Sequence, residues 1–295
     1  MFKNRKGRKK LDCVQIFSAV MITLFSLLIF IPFWNTVVIS FETAQAAAKY
    51  PFSWIPMEFT LSNYASLMKK GGQLLKGYKG TLIITIWGTL MGMTISVMAA
   101  YGFSRKFPGK KFFFRLMMVT MFFSGGMIPP YLQYKNMGLL NTYAACIFIS
   151  LFSVHNLIIM KNGFEHVPMD LQEAAMIDGA NDMLVFVKIM LPLQKPLLAT
   201  FSLFSIVGFW NSWYWPMLLL NGNDKKVLQL FLRQIVNTVV NETEGSTASG
   251  GATEIVFADG VKMAAVFMVM VPIMVVYPFV QKYFTKGIMV GAVKM

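Results

Sequence analysis

Long runs of apolar residues, separated by shorter polar stretches, set the pattern of this chain. A helix needs about 20 apolar residues to cross the roughly 30 Å of hydrocarbon in a bilayer. Six runs reach about that length, and they cover residues 14–41, 81–103, 112–132, 142–160, 197–220 and 261–283. The pattern predicts an all-α integral membrane protein with six transmembrane helices, in which residues 1–295 form a single transmembrane domain.

Composition and charge agree with this assignment. Hydrophobic residues make up 56% of the chain and aromatic residues 15%, more than one soluble core can bury. Of the 27 Lys and Arg residues, 17 lie before the first run, between Arg105 and Arg115, around residues 161–195, or from Lys282 onward. Because cytoplasmic segments are enriched in Lys and Arg, both termini and the stretch 161–195 are predicted to face the cytoplasm.

Membrane topology also accounts for the net charge of +14, so no nucleic-acid partner is predicted. On the opposite, outer side the other ten basic residues stand against seven acidic residues. This mild positive excess weakly favours an anionic solute.

A polar insert between the fourth and fifth runs carries five carboxylates. They are Glu165, Asp170, Glu173, Asp178 and Asp182. If residues 172–187 formed one helix, Glu173 would lie in the middle of an apolar stripe. The stripe would consist of Met176, Ile177, Ala180, Met183, Leu184 and Val187. A turn at Gly179 resolves the conflict, because two short helices free Glu173 for a partner while the second apolar face packs.

The first of these short helices presents a carboxylate beside the small residues Ala174 and Ala175. Such a helix is suited to a groove on another protein. The alternative is a helix lying on the lipid surface, but that kind of helix carries Lys and Arg on its polar face. Asp178 and Asp182 would instead be repelled by anionic lipids.

Catalytic and metal-binding patterns are lacking. Cys13 and Cys146 are far apart and have no His or Cys at metal-ligand spacing. Residues 72–80 imitate a phosphate-binding loop, but Tyr78 stands where the loop requires Lys. The apolar runs also place no carboxylates for a proton or sodium ion, so the energy for transport is expected from another subunit. An ion-coupled carrier acting alone and a membrane-bound enzyme remain as alternatives.

The insert matches a known motif. Glu173-Ala174-Ala175, then Gly179, then Ile189 and Leu191-Pro192 resemble the EAA motif of ATP-binding cassette (ABC) importer permeases. Residues 123–131, 137–142, 175–180 and 287–294 are similar to the smaller membrane subunit of carbohydrate importers of the maltose-transporter type. More narrowly, the chain resembles permeases for oligosaccharides released from polysaccharides, including acidic ones such as alginate. An ABC permease for another small solute is the alternative within the family.

This resemblance implies a type I ABC importer permease fold in the bacterial cytoplasmic membrane. The permease would work by alternating access, without enzymatic activity and without a cofactor of its own. The implied partners are a second, different permease subunit, two ATPase subunits that bind ATP and Mg, an extracytoplasmic solute-binding protein and the lipid bilayer. The implied coupling segment, residues 170–192, would contact the ATPase through Glu173, Ala174, Ala175, Ile177, Asp178, Gly179, Leu191 and Pro192.

Two further segments take implied roles. The cytoplasmic tail, residues 284–295, would reach between the ATPase subunits through Gly291, Ala292, Val293 and Lys294. Relatives commonly end in Val-Lys-Gly, whereas Met295 stands last here. The outer loop, residues 222–260, is rich in Gly, Ser and Thr over 241–259. That composition is typical of a flexible linker, but the matching loop of maltose-type permeases enters the cleft of the solute-binding protein.

An aromatic segment in the fifth run is the candidate solute path. Sugar rings stack on aromatic faces and sugar hydroxyls need amide partners, and the corresponding stretch of the larger maltose permease touches sugar. The candidate residues are Trp210, Asn211, Trp213 and Tyr214. The alternative is an aromatic belt at the membrane interface.

Overall fold

The computed structural model of the protein describes residues 13–69, 71–222, 224–245 and 259–278. In these ranges the chain forms helices, connecting segments and an isolated β-bridge between Glu42 and Phe59. The helices are α1 (Cys13–Ser40), α2 (Ala44–Lys49), α3 (Ser62–Lys69), α4 (Gly71–Ser104), α5 (Lys110–Phe122), α6 (Ile128–Asn136), α7 (Tyr143–Ile149), α8 (Val154–Glu165), α9 (Met169–Ile177), α10 (Asp182–Leu193), α11 (Lys195–Trp210), α12 (Tyr214–Leu219), α13 (Leu228–Gly245) and α14 (Asp259–Pro278). The predicted all-α class is confirmed.

Three helices, α1, α4 and α14, are each long and apolar enough to cross a membrane. Two more spans result if each bent pair of helices counts as one. These pairs are α7 with α8, bent by 58°, and α10 with α11, bent by 79°. The part of the chain that the structure describes therefore offers three spans, or up to five, and the predicted count of six is not confirmed.

The apolar run 112–132 does not form the single helix that the sequence predicts. α5 has 13 residues, so it is about 20 Å long and too short to cross the hydrocarbon alone. The backbone is extended at Phe123, Gly126 has a φ of 76°, and Pro129 lies in the first turn of α6. Glycine and proline end one helix and begin another within an apolar run, which is why apolar length alone gave the wrong result.

The chain divides into two compact units. The first contains the residues up to Leu67 together with Val236–Met268. Here the Phe41 ring stacks on the Phe59 ring with centroids 5.5 Å apart. The buried Asn63 amide donates hydrogen bonds to the carbonyls of Ser40 and Glu42, both at 3.1 Å. These contacts fix the connection between α1 and α3.

The second unit contains Met68–Ile235 and the residues from Val269 onward, and α4 runs through it. With 34 residues, α4 is about 51 Å long and exceeds the hydrocarbon thickness. Near its C-terminal end it packs with α8, α10 and α11 around the buried side chains of Phe164, Val185 and Met190. Nearer its middle, Ile84 belongs to a second core with residues of α7, α11 and α12. One long helix therefore joins the polar insert to the aromatic segment.

Candidate coupling surface and aromatic cluster

The predicted turn at Gly179 is present. Gly179 has a φ of 86°, a left-handed conformation that favours glycine. Its N–H donates to the Met176 carbonyl at 3.0 Å, and the Ala180 N–H donates to the Ala175 carbonyl at 2.9 Å. These two bonds form a Schellman motif, which satisfies carbonyls at the end of α9. The interpretation of the insert as two short helices is therefore confirmed.

The second helix begins at a capping residue and contains an irregular turn. The Asn181 side chain accepts a hydrogen bond from the Leu184 N–H at 2.8 Å and so caps α10. A π-helical turn covers Phe186–Met190, immediately before the half-buried Leu191 and the exposed Pro192. Because Pro192 has no N–H, it cannot continue the regular hydrogen-bond series of an α-helix.

The apolar face of α10 that packs is not the one that the sequence predicts. Val185, Phe186 and Met190 are buried. The three members of the predicted stripe that lie on α10 are exposed instead, and they are Met183, Leu184 and Val187. The predicted stripe assumes that side chains follow each other at 100° around one continuous helix. The turn at Gly179 and the π-helical turn both change the directions in which the side chains point. An apolar exposed surface therefore extends from α9 onto α10.

Glu173 lies on the exposed face of α9. At 100° per residue, Met169, Met176 and Ile177 share its side of the helix, and all three are exposed, Ile177 to 86%. No ion pair or hydrogen bond of the Glu173 carboxylate occurs within the described residues. The result is a carboxylate among exposed apolar side chains, which we call the coupling face (Met169, Glu173, Met176, Ile177).

The remaining predicted coupling residues lie around this face. Ala174 and Asp178 are exposed and Ala175 is half-buried. Asp178 follows the last residue of α9, and its N–H donates to the Ala174 carbonyl at 3.0 Å. The structure therefore brings Ala174, Ala175, Ile177, Asp178 and Gly179 together with Glu173 on one short element.

Arg105 contacts the buried side of α9, and sequence reasoning missed it. Its Nη1 donates to Oε1 of the buried Gln172, and its Nη2 donates to the Tyr101 hydroxyl. The same guanidinium lies 4.0 Å from Asp182 of α10 and 4.7 Å from the centre of the Tyr101 ring. Arg105 thus joins the end of α4 to both short helices. It was counted only as one of five clustered basic residues, and no spacing signal distinguishes it from Lys106 or Lys110.

A second polar link lies nearby. Glu165, at the end of α8, accepts hydrogen bonds from Lys161 at 2.6 Å and from Lys110 at 3.1 Å. Lys110 begins α5. A cavity of about 360 Å³ opens between this cluster and α9, with Arg105, Glu165 and Gln172 in its wall. Together the links tie the polar insert to three helices of the second unit.

The four aromatic-segment candidates separate into a buried residue and three exposed ones. Trp210 ends α11, is 5% exposed, and donates its indole N–H to the Val269 carbonyl at 3.3 Å. Asn211, Trp213 and Tyr214 are exposed around the break between α11 and α12. The Tyr214 hydroxyl contacts the Met127 sulfur at 2.9 Å. Trp210 is therefore a buried packing residue, and the other three lie on the surface.

Two predicted elements fall partly or wholly outside the described residues. Gly291, Ala292, Val293 and Lys294 all lie outside them, as does the rest of the tail 284–295. Within the predicted outer loop 222–260, residues 228–245 form α13. Residues 246–258, which hold most of its Gly, Ser and Thr, lie outside the described ranges.

The long apolar helices and the exposed acidic insert define a helical membrane protein. The chain belongs to the family of binding-protein-dependent transport system inner membrane components, whose sequence pattern matches residues 92–290. It is a membrane-spanning, non-catalytic permease subunit of an ABC importer. The resemblance drawn from the motifs is confirmed, and family membership decides against the ion-coupled carrier and the membrane-bound enzyme.

Curated relatives share most of their length with this chain. The polygalacturonan/rhamnogalacturonan transport system permease protein YtcP of Bacillus subtilis (strain 168) is 38% identical over 272 residues, which cover 92% of this chain and 94% of the relative. Protein LplC of the same organism is 36% identical over 265 residues, which cover 90% of this chain and 89% of that relative.

A solved structure supports the fold. A chain from a bacterial ABC transporter involved in the import of the acidic polysaccharide alginate aligns with a TM-score of 0.80 and 28% identity. The alignment covers 96% of this chain and 99% of that chain. The ABC importer permease fold is therefore confirmed.

Proposed function

We propose that this permease imports oligosaccharides released from acidic polysaccharides. The support comes from two similar proteins, because a polygalacturonan/rhamnogalacturonan permease and an alginate importer both handle polymers rich in uronic acids. The aromatic cluster (Trp210, Asn211, Trp213 and Tyr214) offers ring faces and an amide, which are groups that bind sugars. The predicted positive excess on the outer side has the right sign for such a solute.

The observation that carries the mechanistic part of the proposal is the coupling face. Glu173 projects from a short helix among three exposed apolar residues. A helix with such a surface is suited to binding in a groove on another protein. A lipid-facing helix would not place a lone carboxylate at the centre of its apolar side. The occupant of this face is an ATPase subunit, and the second short helix and Pro192 extend the contact.

Energy then passes from ATP to the bundle by rigid-body motion. When the two ATPase subunits close, α9 and α10 move with them, and Arg105 transmits the movement to α4 through its bonds to Gln172 and Asp182. In this assembly a second, different permease completes the solute path, a solute-binding protein delivers the sugar, and ATP and Mg are bound by the ATPases alone. The coupling face is in the cytoplasm, as are both termini.

Reversal of one charge tests this function. In the purified complex reconstituted in proteoliposomes with its solute-binding protein, Glu173→Lys is expected to leave the subunits assembled and to lower ATP-driven uptake by at least about tenfold, since a charged pair at a protein interface contributes well over 1 kcal/mol. Asp224→Lys is the control. It makes the same charge change at a carboxylate that is 92% exposed, and it breaks only an exposed ion pair with Lys76, which contributes little to stability. Normal uptake with Glu173→Lys would overturn the coupling role.

A further inference from the structure

A cation lies over Trp213 and has no carboxylate partner among the described residues. The guanidinium of Arg233, on α13, lies 4.1 Å from the centre of the Trp213 ring. Two other basic residues on the predicted outer side have polar partners instead, since Lys76 pairs with Asp224 at 3.4 Å and Lys225 donates to a backbone carbonyl at 2.7 Å. In the part of the chain that is described, no carboxylate lies within ion-pair distance of Arg233.

Two amides stand beside this cation. Gln229 Nε2 donates to Asn211 Oδ1 at 3.1 Å. Gln229 and Arg233 are four residues apart on α13, so they share one face of that helix. The pair of amides leaves Asn211 N–H donors and a Gln229 carbonyl oxygen facing an exposed surface. Donors and acceptors of this kind match the hydroxyl groups of a sugar ring.

A cavity is lined by the residue that separates Asn211 from Trp213 in the chain. It has a volume of about 260 Å³, and Ser212, which stands between Asn211 and Trp213 in the chain, lies in its wall. Its other lining residues include Ser150, Asn156, Phe204, Ser205 and Phe209. Hydroxyl and amide groups beside aromatic rings form a lining suited to an uncharged sugar ring, with no cation among them.

We propose that Arg233, held by Trp213, binds the carboxylate of a uronate residue while the sugar rings enter the serine-lined cavity. A guanidinium offers two parallel N–H donors that match a carboxylate, and it is weakly hydrated, so it gives up water readily. Stacking on Trp213 fixes its plane and shields one side from solvent. This site rests on the proposed import of acidic oligosaccharides. Arg233 is the residue that selects uronate-containing sugars over uncharged ones.

The test separates charge recognition from packing. Uptake by the reconstituted complex is measured with α-1,4-linked trigalacturonate and with its fully methyl-esterified, uncharged form, using the same solute-binding protein throughout. Arg233→Gln is expected to lower the uptake efficiency (kcat/KM) for the acid about tenfold and for the ester less than about twofold, since a hydrogen bond to a charged group is at stake. Arg233→Lys should retain part of the preference for the acid, because it keeps the charge but loses the planar fork.

Lys79→Gln is the matched control, since it removes an exposed charge from the same predicted side without touching the cluster. If the wild type imports the acid but not the ester, the role of Arg233 is tested by the acid alone. Arg233→Gln should then lower the uptake efficiency for the acid more than Lys79→Gln does. Equal losses for acid and ester, or no loss for the acid, would overturn the role of Arg233 and leave the importer assignment intact. Failure of the wild type to import the acid would overturn both this site and the proposed solute.

Discussion

Arg105 donates a hydrogen bond to the buried side chain of Gln172, and so fastens the end of α4 to the back of the helix that carries Glu173. The bond joins residues 67 positions apart. Arg105 directly follows a helix long enough to cross the bilayer, and Gln172 lies on the polar insert. Because the buried Gln172 and the exposed Glu173 are consecutive residues of α9, a force on the coupling face reaches α4 through this contact.

Replacing Arg105 should uncouple ATP hydrolysis from transport. Arg105→Gln leaves Gln172 and Asp182 without their charged partner, and a buried polar group that loses its partner costs about 1–3 kcal/mol. We expect uptake per ATP hydrolysed to fall about fivefold to tenfold, an effect of roughly 1 kcal/mol. Parallel assays of ATPase activity and uptake in proteoliposomes measure the ratio. Lys111→Gln, an exposed basic residue six positions on, should leave it unchanged, and an unchanged ratio for Arg105→Gln would contradict the linkage.

The turn at Gly179 should be sensitive to any side chain. Gly179→Ala places a Cβ on a residue with a φ of 86°, which costs about 1 kcal/mol. Thermal unfolding of the purified complex should then occur about 2–4 °C lower. Asn tolerates the left-handed region, so Gly179→Asn should be milder. Gly102→Ala serves as the control, because its new Cβ would meet nothing within 4 Å. Equal unfolding temperatures for Gly179→Ala and the control would show that the turn relaxes freely.

The packing of α4 on α11 should depend on Gly88. A Cβ at this position would lie 2.6 Å from the Phe209 ring, so Gly88→Ala is expected to destabilise the protein by about 1–3 kcal/mol. Phe209→Leu removes the obstructing ring, and the double variant should be more stable than the sum of the two single effects predicts, by at least about 0.5 kcal/mol. Denaturation of the four proteins in detergent measures the difference. Strict additivity would mean that the two residues do not meet.

Sequence reasoning reached the parts of this protein that depend on local chemistry. The apolar runs identified α1, α4 and α14, and Gly179 marked the turn because a left-handed residue has few substitutes. It failed where the outcome depends on contacts between distant segments. The break near Gly126 was missed because apolar length was weighed above the glycines and prolines within the run.

Arg105 and Arg233 illustrate the same limit. Each is one basic residue among several, and its role follows from which side chain lies against it: Gln172 in the first case and Trp213 in the second. These pairs are separated by 67 and 20 positions, so no periodicity along one element connects them. The burial of Trp210 likewise depends on its contact with Val269 of α14.

Crosslinking at Ile177 tests most directly whether the coupling face binds an ATPase subunit. Ile177 is 86% exposed beside Glu173, so a photo-reactive amino acid at this position of the assembled complex is predicted to form an adduct with an ATPase subunit. The same probe at Leu28, 68% exposed on the apolar helix α1, should give no such adduct. An Ile177 probe that labels lipid alone in the assembled, ATP-hydrolysing complex would contradict the account.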